Sequence, residues 1–359
     1  MTRTPVPHPP TSSASASVSA PAPASFAPVP ADLADLTERT VDTGEVARLM
    51  LAAHLERTGA PEPGPDRVRT TTWTPAGARK IRRRTFVQLD VDDVPVAVAK
   101  VPLSVTDPKL ARELEVLRGF PAPAPLGSPV PLDALCGGFT MTHLPGTDLP
   151  TAVAGTDGPH TLWQVLRPAV ERVAELHLSG KRAAATPERA LETAAAYVRE
   201  PEFGVPYADE ALRTALLAPT HGDLGPWNVR YDVRDGSARV LDFEDFRATG
   251  IAAMDIVNLL VTTALPVFPD YPEHGFDWLY DQVFTSNHWF RSVLEQGLDH
   301  YATLTGQHPG RVLDLLPFTC QWLIERIEAE GRDTSGLFYR TFVERYLERR
   351  PAAFGSNHV

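Results

Sequence analysis

The sequence predicts an α+β fold of two lobes, in which a small antiparallel sheet comes first and a larger, mostly helical part follows. The chain has 359 residues, which is more than one hydrophobic core usually serves. Runs rich in β-branched and aromatic residues are concentrated in residues 68–101, whereas the pattern after residue 144 is mostly helical. We therefore place the first lobe in residues 31–143 and the second in residues 144–359.

Composition indicates an ordinary globular protein, because 43% of the residues are hydrophobic and 22% are charged. A net charge of −11 disfavours a nucleic-acid partner, which usually requires a clustered basic face. The same charge would suit a cationic substrate, although an acidic surface more often serves solubility alone. The only cysteines, Cys136 and Cys320, lie far apart and suggest neither a disulfide framework nor a zinc cluster, which fits a reducing compartment.

Residues 1–30 are almost all Pro, Ala, Ser, Thr and Val, a composition that predicts a disordered tail. This stretch has no continuous apolar segment of the kind that a secretion signal needs. The most apolar later run, residues 251–268, is interrupted by Asp255, Asn258 and Pro266, which favours a buried helix over a membrane span. We expect a cytoplasmic protein without a membrane partner.

The first lobe is predicted to open with a helix, because residues 43–58 have helical periodicity and Gly59 follows where a helix would stop. Strands are predicted at residues 70–73, 85–91 and 94–101, with Lys100 near the end of the last one. The segment DPKLARELEVLRGF then predicts a helix capped by Asp107. Glu113 falls on the apolar stripe of that helix, so it either pairs with Lys100 or reaches solvent from the edge of the stripe.

One more strand is predicted at residues 138–144, after which the chain passes into the second lobe. A helix is predicted over residues 168–178, and residues 278–349 again have helical patterning. Between them, the stretch THGDLGPWNV at residues 220–229 and the stretch VLDFEDF at residues 240–246 combine strand, turn and polar residues.

These two stretches fit the chemistry of phosphoryl transfer. A γ-phosphoryl group moves through a loose transition state, so the protein mainly positions the reactants and neutralises charge with Mg²⁺. Hard cations of that kind take oxygen ligands, which Asp242 and Asn228 can supply. Asp223, five residues before Asn228, would then be free to orient the attacking hydroxyl, and Gly225 with Pro226 supplies the bend between them.

The segments HGDLGPWN and LDFED resemble the H-x-D-x-x-x-x-N and D-F-[GE] signatures of the aminoglycoside phosphotransferase and choline kinase family, relatives of the protein kinases. Lys100 within VAVAK, Glu113 on the next helix, Met141–His143 at the lobe boundary and His177 within AELHLSG stand in the same order as the family's other parts. The similarity spans roughly residues 68–260. It implies a bilobal protein-kinase-like fold.

The resemblance also implies a role for each residue. Asp223 would be the catalytic aspartate, Asn228 and Asp242 would be the magnesium ligands, and Lys100 would contact the α- and β-phosphates, oriented by Glu113. Met141 and His143 would lie at the nucleotide hinge. His221 would hydrogen-bond the loop backbone, and Asp255 would brace the catalytic loop. Glu244 and Asp245 stand beside the metal loop and would at most support its ligands from behind.

Two features depart from the family pattern. The loop that should cover the nucleotide, TPAGARKIRRRTF, has one glycine, Gly77, and several basic residues. Arg79, Lys80 and Arg82–Arg84 either contact phosphates or form a solvated basic hairpin, and we favour the solvated hairpin. Gly225 stands where many relatives carry a histidine, which puts nothing catalytic in doubt.

The predicted function is Mg²⁺-dependent transfer of the γ-phosphate of ATP or GTP to a hydroxyl of an aminoglycoside, another antibiotic or a metabolite. A nucleotide-binding regulatory module without turnover is the alternative, and protein-kinase activity is disfavoured because residues 243–255 are too short for an activation segment. Six acidic residues of the second lobe either line a pocket for a cationic substrate or belong to the surface: Asp270, Glu273, Asp277, Asp281, Glu295 and Asp299.

Overall fold

The computed structural model describes residues 42–74, 84–103, 107–120, 125–179, 186–198 and 206–349. The predicted disordered tail lies outside these ranges, and so do four of the five basic residues of the predicted hairpin, Arg79, Lys80, Arg82 and Arg83.

The first lobe is a five-stranded antiparallel sheet with two helices, one before the first strand and one between the third and fourth strands. The strands are β1 (Val68–Trp73), β2 (Arg84–Val91), β3 (Val94–Pro102), β4 (Pro131–Leu135) and β5 (Gly138–Thr142), and they pair in the order β1-β2-β3-β5-β4. The helices are α1 (Thr43–Thr58) and α2 (Pro108–Gly119). Asp42 caps α1, and Asp107 caps α2 as predicted.

Alternation along the strands builds the core of this lobe. Val87 and Leu89 of β2 and Ala97, Ala99 and Val101 of β3 are all buried, because alternate residues of a strand face the same side. They pack against the buried stripe of α1 in one hydrophobic cluster. The same sheet therefore presents its other strand positions, including Lys100, toward the second lobe.

The second lobe is mostly helical. Its helices are α3 (Leu149–Ala154), α4 (Pro159–Ser179), α5 (Pro187–Ala195), α6 (Pro206–Arg213), α7 (Ala253–Thr262), α8 (Ala264–Val267), α9 (Tyr271–His274), α10 (Phe276–Phe284), α11 (Trp289–Thr305), α12 (Pro309–Leu313), α13 (Leu316–Ala329) and α14 (Tyr339–Glu348). Its short strands are β6 (Thr147–Asp148), β7 (Leu217–Thr220), β8 (Val229–Asp232), β9 (Ser237–Val240) and β10 (Arg247–Ile251). They form two small antiparallel sheets, β6-β8-β9 and β10-β7.

Helix α7 forms the centre of this lobe, because every residue of it is buried. It contacts α4, α11 and α13, so the apolar run around residue 255 is the core helix that the sequence predicts. Helix α4 differs from its prediction, since it begins at Pro159 and keeps Pro168 in its interior. The buried Leu162 and Leu166 continue its apolar stripe through the first turns and outweigh the proline.

The predicted α+β fold, with a small antiparallel sheet lobe followed by a mostly helical lobe, is confirmed. Across the described ranges, no helix combines the length and the hydrophobicity that crossing a bilayer requires. Both cysteines are free thiols, with Cys136 exposed and Cys320 buried.

Candidate active site

A cavity of about 690 Å³ lies between the two lobes, and both contribute to its wall. Six of the predicted site residues line it: Lys100, Met141, His143, Asp223, Asn228 and Asp242. The other three, Glu113, His221 and Asp255, are buried and hold the lining residues in place through the contacts described below. The structure therefore brings the sequence-predicted residues together around one cleft.

Lys100 on β3 is held by two carboxylates. Its Nζ donates to Glu113 Oε1 and Oε2 at 2.7 and 2.6 Å, and to Asp242 Oδ1 at 2.6 Å. The Lys100 side chain is 1% exposed. Burial alone would lower the pKa of Lys100, but the negative charges of Asp242 and Glu113 outweigh it and raise the pKa to about 12. Lys100 is therefore a fixed positive charge at the bottom of the cleft.

Glu113 on α2 pairs with Lys100, one of the two alternatives that the sequence left open. Its side chain is 0% exposed, and both of its oxygens accept hydrogen bonds from Lys100, so it does not reach solvent. Burial raises the pKa of Glu113 above its ordinary value, and the charge of Lys100 opposes that rise. A buried carboxylate of this kind needs its partner, which fixes the position of α2 relative to β3.

Asp255, in the first turn of α7, braces the loop that carries Asp223. Its carboxylate accepts from the backbone N–H groups of His221 at 2.6 Å and Gly222 at 2.9 Å. His177 of α4 lies 3.2 Å from the same carboxylate and 2.8 Å from the hydroxyl of Tyr301. Gly222 has a φ of 88° and leaves no room for a side chain, because an added Cβ would lie 2.3 Å from the backbone oxygen of Asp245.

His221 serves the loop backbone, as the resemblance implies. Its Nε2 lies 2.9 Å from the backbone oxygen of Leu241, and its Nδ1 lies 3.3 Å from the backbone nitrogen of Asp223. It thereby links the loop that follows β7 to the residue before Asp242.

Asp223 is buried in the cleft wall and holds one oxygen in an ion pair. Its Oδ2 lies 2.8 Å from Nη1 of Arg326. Among the residues that the structure describes, no donor reaches the buried Oδ1 of Asp223. Burial raises the pKa of Asp223, and the guanidinium of Arg326 pulls it back down. An acceptor atom without a donor is costly in a folded protein, so Oδ1 marks a place where a ligand can donate a hydrogen bond.

Arg326 of α13 is a site residue that the sequence reasoning missed. Its Nη1 bridges Asp223 and Asp245, the latter at 2.6 Å, and its side chain is 9% exposed. Burial opposes the charge of Arg326, but Asp223 and Asp245 raise its pKa above the ordinary value. Arg326 lies on the same helix face as the buried Leu323 and Ile327. A charged residue on an apolar face needs a partner, and this pattern in the sequence could have pointed to Arg326 as a site residue.

Asp242 and Asn228 are placed to offer oxygen ligands to the cleft. Asp242 has a φ of 69°, a left-handed conformation that aspartate tolerates better than most residues. The Asn228 amide nitrogen donates to the backbone oxygen of Asp223 at 2.8 Å, so the amide's own oxygen is the group left to bind a ligand. In the described ranges, no three His, Cys, Asp or Glu side chains are arranged so that together they could hold a metal ion. Mg²⁺ requires fewer, because one or two protein oxygens with phosphates and water suffice.

Arg84 corrects the prediction of a solvated basic hairpin. Arg84 is 2% exposed, and its guanidinium lies 2.6 Å from Glu244 and 3.0 Å from Asp107. Lys109 also contacts Glu244, at 3.4 Å. Glu244 therefore joins the segment after Asp242 to β2 and α2 of the first lobe. The other basic residues of that segment lie outside the described residues.

The six acidic residues proposed for a cationic pocket do not line this cleft: Asp270, Glu273, Asp277, Asp281, Glu295 and Asp299. The first three are exposed. Asp281 lies 3.1 Å from Arg345, and Glu295 lies 3.0 Å from Arg291. Asp270, Glu273 and Asp277 therefore belong to the surface of the second lobe, the alternative given above, whereas Glu295 and Asp299 line a separate cavity of about 530 Å³ beside α4 and α11.

The protein is therefore bilobal, and the cleft between its lobes is lined by a buried lysine, an asparagine and two aspartates. No protein-family model and no curated protein matches the sequence. Solved structures similar to this chain are small-molecule phosphotransferases and kinases, the group that the sequence motifs resemble.

Three of these structures give the extent of the similarity. A choline kinase from Cryptosporidium parvum is 15% identical, with 84% of this chain and 94% of the other covered and a TM-score of 0.47. A macrolide 2'-phosphotransferase from Brachybacterium faecium is 17% identical, with 86% and 99% covered and a TM-score of 0.44. An aminoglycoside phosphotransferase from Streptomyces rimosus is 16% identical, with 76% and 98% covered and a TM-score of 0.40. Similarity at this level carries no functional argument, so the geometry of the cleft must supply it.

Proposed function

We propose that the protein is a Mg²⁺-dependent phosphotransferase that moves the γ-phosphate of ATP or GTP to a hydroxyl of a small molecule. The observation that carries the proposal is Oδ1 of Asp223, a buried acceptor that no described donor reaches, at the wall of a cleft that also presents Lys100. A hydroxyl entering the cleft would supply the missing donor. The resemblance of the sequence motifs supports the same function.

The nucleotide would lie against the first lobe. Lys100 is a compact cation held in place by Glu113, which suits contact with the α- and β-phosphates. Met141 and His143 line the cleft at the end of β5, where the backbone could receive the base. The backbone N–H of His143 already donates to Val96 at 3.0 Å, so this segment is fixed to the sheet before a nucleotide arrives.

Asp223 would orient the acceptor. The hydroxyl donates to Oδ1, its oxygen forms a bond to the γ-phosphorus, and the bond between that phosphorus and the β–γ bridging oxygen breaks. The hydroxyl proton passes to Asp223 as the new bond forms, and the nucleoside diphosphate leaves. Because the transition state is loose, a carboxylate need not be a strong base for this step.

Asn228 and Asp242 would hold Mg²⁺ through their side-chain oxygens. When bound, the ion neutralises the charge of the phosphates. In the structure described here, Asp242 lines the cleft and is paired with Lys100 at 2.6 Å, so the lysine holds the position of the carboxylate. We expect this chemistry in the cytoplasm, where free thiols such as those of Cys136 and Cys320 stay reduced.

The test is nucleotide consumption by the purified protein with Mg²⁺, ATP or GTP, and a panel of aminoglycosides, other antibiotics, sugars and amino alcohols. We expect one acceptor to gain about 80 Da, the mass of a phosphoryl group. Asp223→Asn should lower the turnover rate by about 10³-fold or more while keeping nucleotide affinity, and Asp242→Asn should lose both. Asp235→Asn, in an exposed turn outside the cleft, is the matched control and should change neither.

Two results would contradict the proposal in different ways. Equal loss of nucleotide binding in Asp223→Asn and Asp242→Asn would refute the division of roles between them. Nucleotide binding by the wild type without phosphorylation of any acceptor would favour the regulatory module over the enzyme.

A further inference from the structure

The second lobe gives the cleft wall an apolar and aromatic part. It consists of Leu265 of α8, Tyr271 of α9, Phe276 of α10, Tyr339 of α14 and the two residues before α14, Leu337 and Phe338. Under the proposed function, on which this inference rests, the first lobe holds the nucleotide and these residues face the acceptor. Aromatic and apolar walls bind flat apolar bodies through burial and ring contacts.

Trp227 provides a flat surface next to the reacting groups. It directly precedes Asn228, lines the cleft and is 41% exposed, although it is a large hydrophobic side chain. Its indole lies over Gly225, because a Cβ added at Gly225 would come within 2.3 Å of two indole carbons. The absence of a side chain at Gly225 is therefore what lets the ring occupy this position.

The charges around the cleft do not favour a cationic acceptor. The described wall contains three carboxylates, and each has one oxygen that is already paired: Asp223 with Arg326, Asp242 with Lys100, and Asp148 with the backbone N–H of Thr151 at 2.9 Å. The Oδ1 of Asp223, which no described donor reaches, is the acceptor for the reacting hydroxyl under the proposed function. Arg326 and Arg332 line the same cavity, so a protonated amine elsewhere on the acceptor would meet guanidinium groups, which is unfavourable.

We propose that the acceptor is an alcohol that carries an aromatic or other flat apolar ring and no positive charge, and that this ring packs on Trp227. The hydroxyl would then lie close to Asp223, because Trp227 belongs to the same loop, four residues further along. The acidic residues that would attract a polyamine lie elsewhere on the second lobe.

The experiment uses three matched probes, phenyl β-glucoside, methyl β-glucoside and phenyl 2-amino-2-deoxy-β-glucoside. Binding is measured by calorimetry on the full chain with Mg²⁺ and a non-hydrolysable ATP analogue. We expect the phenyl glucoside to bind at least about tenfold more tightly than the methyl glucoside, and the ammonium group to give no gain. Equal binding of all three, or the absence of binding at millimolar concentration, would overturn the inference, as would tighter binding of the amine.

Variants at Trp227 and Gly225 complete the test; the Trp227 ring is called the platform below. Trp227→Ala should weaken the phenyl glucoside by about tenfold, Trp227→Tyr should restore most of that affinity, and Gly225→Ala should mimic Trp227→Ala because the new Cβ displaces the indole. Trp163→Ala is the matched control, since Trp163 is a partly buried tryptophan of the second lobe that does not line this cavity. It should leave binding of the phenyl glucoside unchanged, and a loss equal to that of Trp227→Ala would refute the platform.

The proposed function is tested separately, by phosphoryl transfer that depends on Asp223. Transfer to a polycationic acceptor with no effect of Trp227→Ala would overturn this inference and leave the phosphotransferase standing.

Discussion

Removing Lys100 should expose how much the fold depends on the buried pair with Glu113. In Lys100→Met, Glu113 keeps no described partner and stays 0% exposed. Breaking a buried ion pair in this way costs about 3–5 kcal/mol of the free energy of unfolding. Glu113→Gln should cost less, toward about 3 kcal/mol, because Lys100 retains Asp242 at 2.6 Å.

The loss of unfolding free energy in Lys100→Met should depend on pH, in a direction set by the pKa of Glu113. Burial raises the pKa of Glu113 above its ordinary value, and loss of the opposing lysine charge raises it further. A folded carboxyl with a raised pKa takes up a proton that the unfolded chain does not hold, so its stability falls as pH rises through the folded pKa. Lys100→Met should therefore lose less stability at about pH 5.5 than at about pH 8.

The assay is urea unfolding of the wild type, both single variants and the double variant, which together give the coupling energy of the pair. We expect a coupling of about 2–3 kcal/mol at about pH 8. Arg311 and Glu210 serve as the control pair, because they lie at the same distance of 2.6 Å but are 41% and 68% exposed. Their coupling should stay below about 1 kcal/mol. A value that low for Lys100 and Glu113 would refute the reasoning.

Two further predictions concern the catalytic loop. Arg326→Met removes the charge that lowers the pKa of Asp223, so the acid limb of the kcat/KM profile should move to higher pH, with activity regained in alkaline buffer. Arg345→Met, on α14, should leave the profile in place, and an unshifted limb in Arg326→Met would contradict the electrostatic role. Asp255→Ala leaves the N–H groups of His221 and Gly222 without their acceptor and should cost about 2–4 kcal/mol in unfolding experiments, whereas Asp255→Asn, which keeps one carbonyl oxygen, should cost less. Equal losses of unfolding free energy in the two variants would show that Asp255 stabilises the loop by packing and not by accepting hydrogen bonds.

Local sequence predicted the parts of the site that depend on short-range pattern. Asp107 could be assigned as a cap because Pro108 and an apolar stripe follow it directly. Glu113 could be placed on the buried face by helical spacing alone, but whether it paired with Lys100 depended on how α2 lies against β3, which no local pattern fixes.

The site residues whose roles the sequence did not predict depend mainly on long-range contacts. Arg326 reaches Asp223 from more than 100 residues away in the chain, and its α13 stripe showed only that a charge was buried somewhere. Arg84 was grouped with its basic neighbours, although its partner Glu244 lies in the second lobe. Gly225 looked unimportant until the structure placed the Trp227 ring over it. The roles of Arg326 and Arg84 depend on contacts with residues distant in the chain, and the role of Gly225 depends on the direction of the Trp227 side chain. Local sequence patterns specify neither.

The bridge from Arg326 to Asp223 and Asp245 has a consequence for the order in which the protein is made. A chain that has emerged from the ribosome only as far as α12 already contains every motif residue of the cleft, from Lys100 to Asp255. It lacks α13, so the two aspartates face each other without the guanidinium between them. The cleft is therefore completed late in synthesis, and a gene copy cut short before α13 would keep every motif but lack the charge balance of the site.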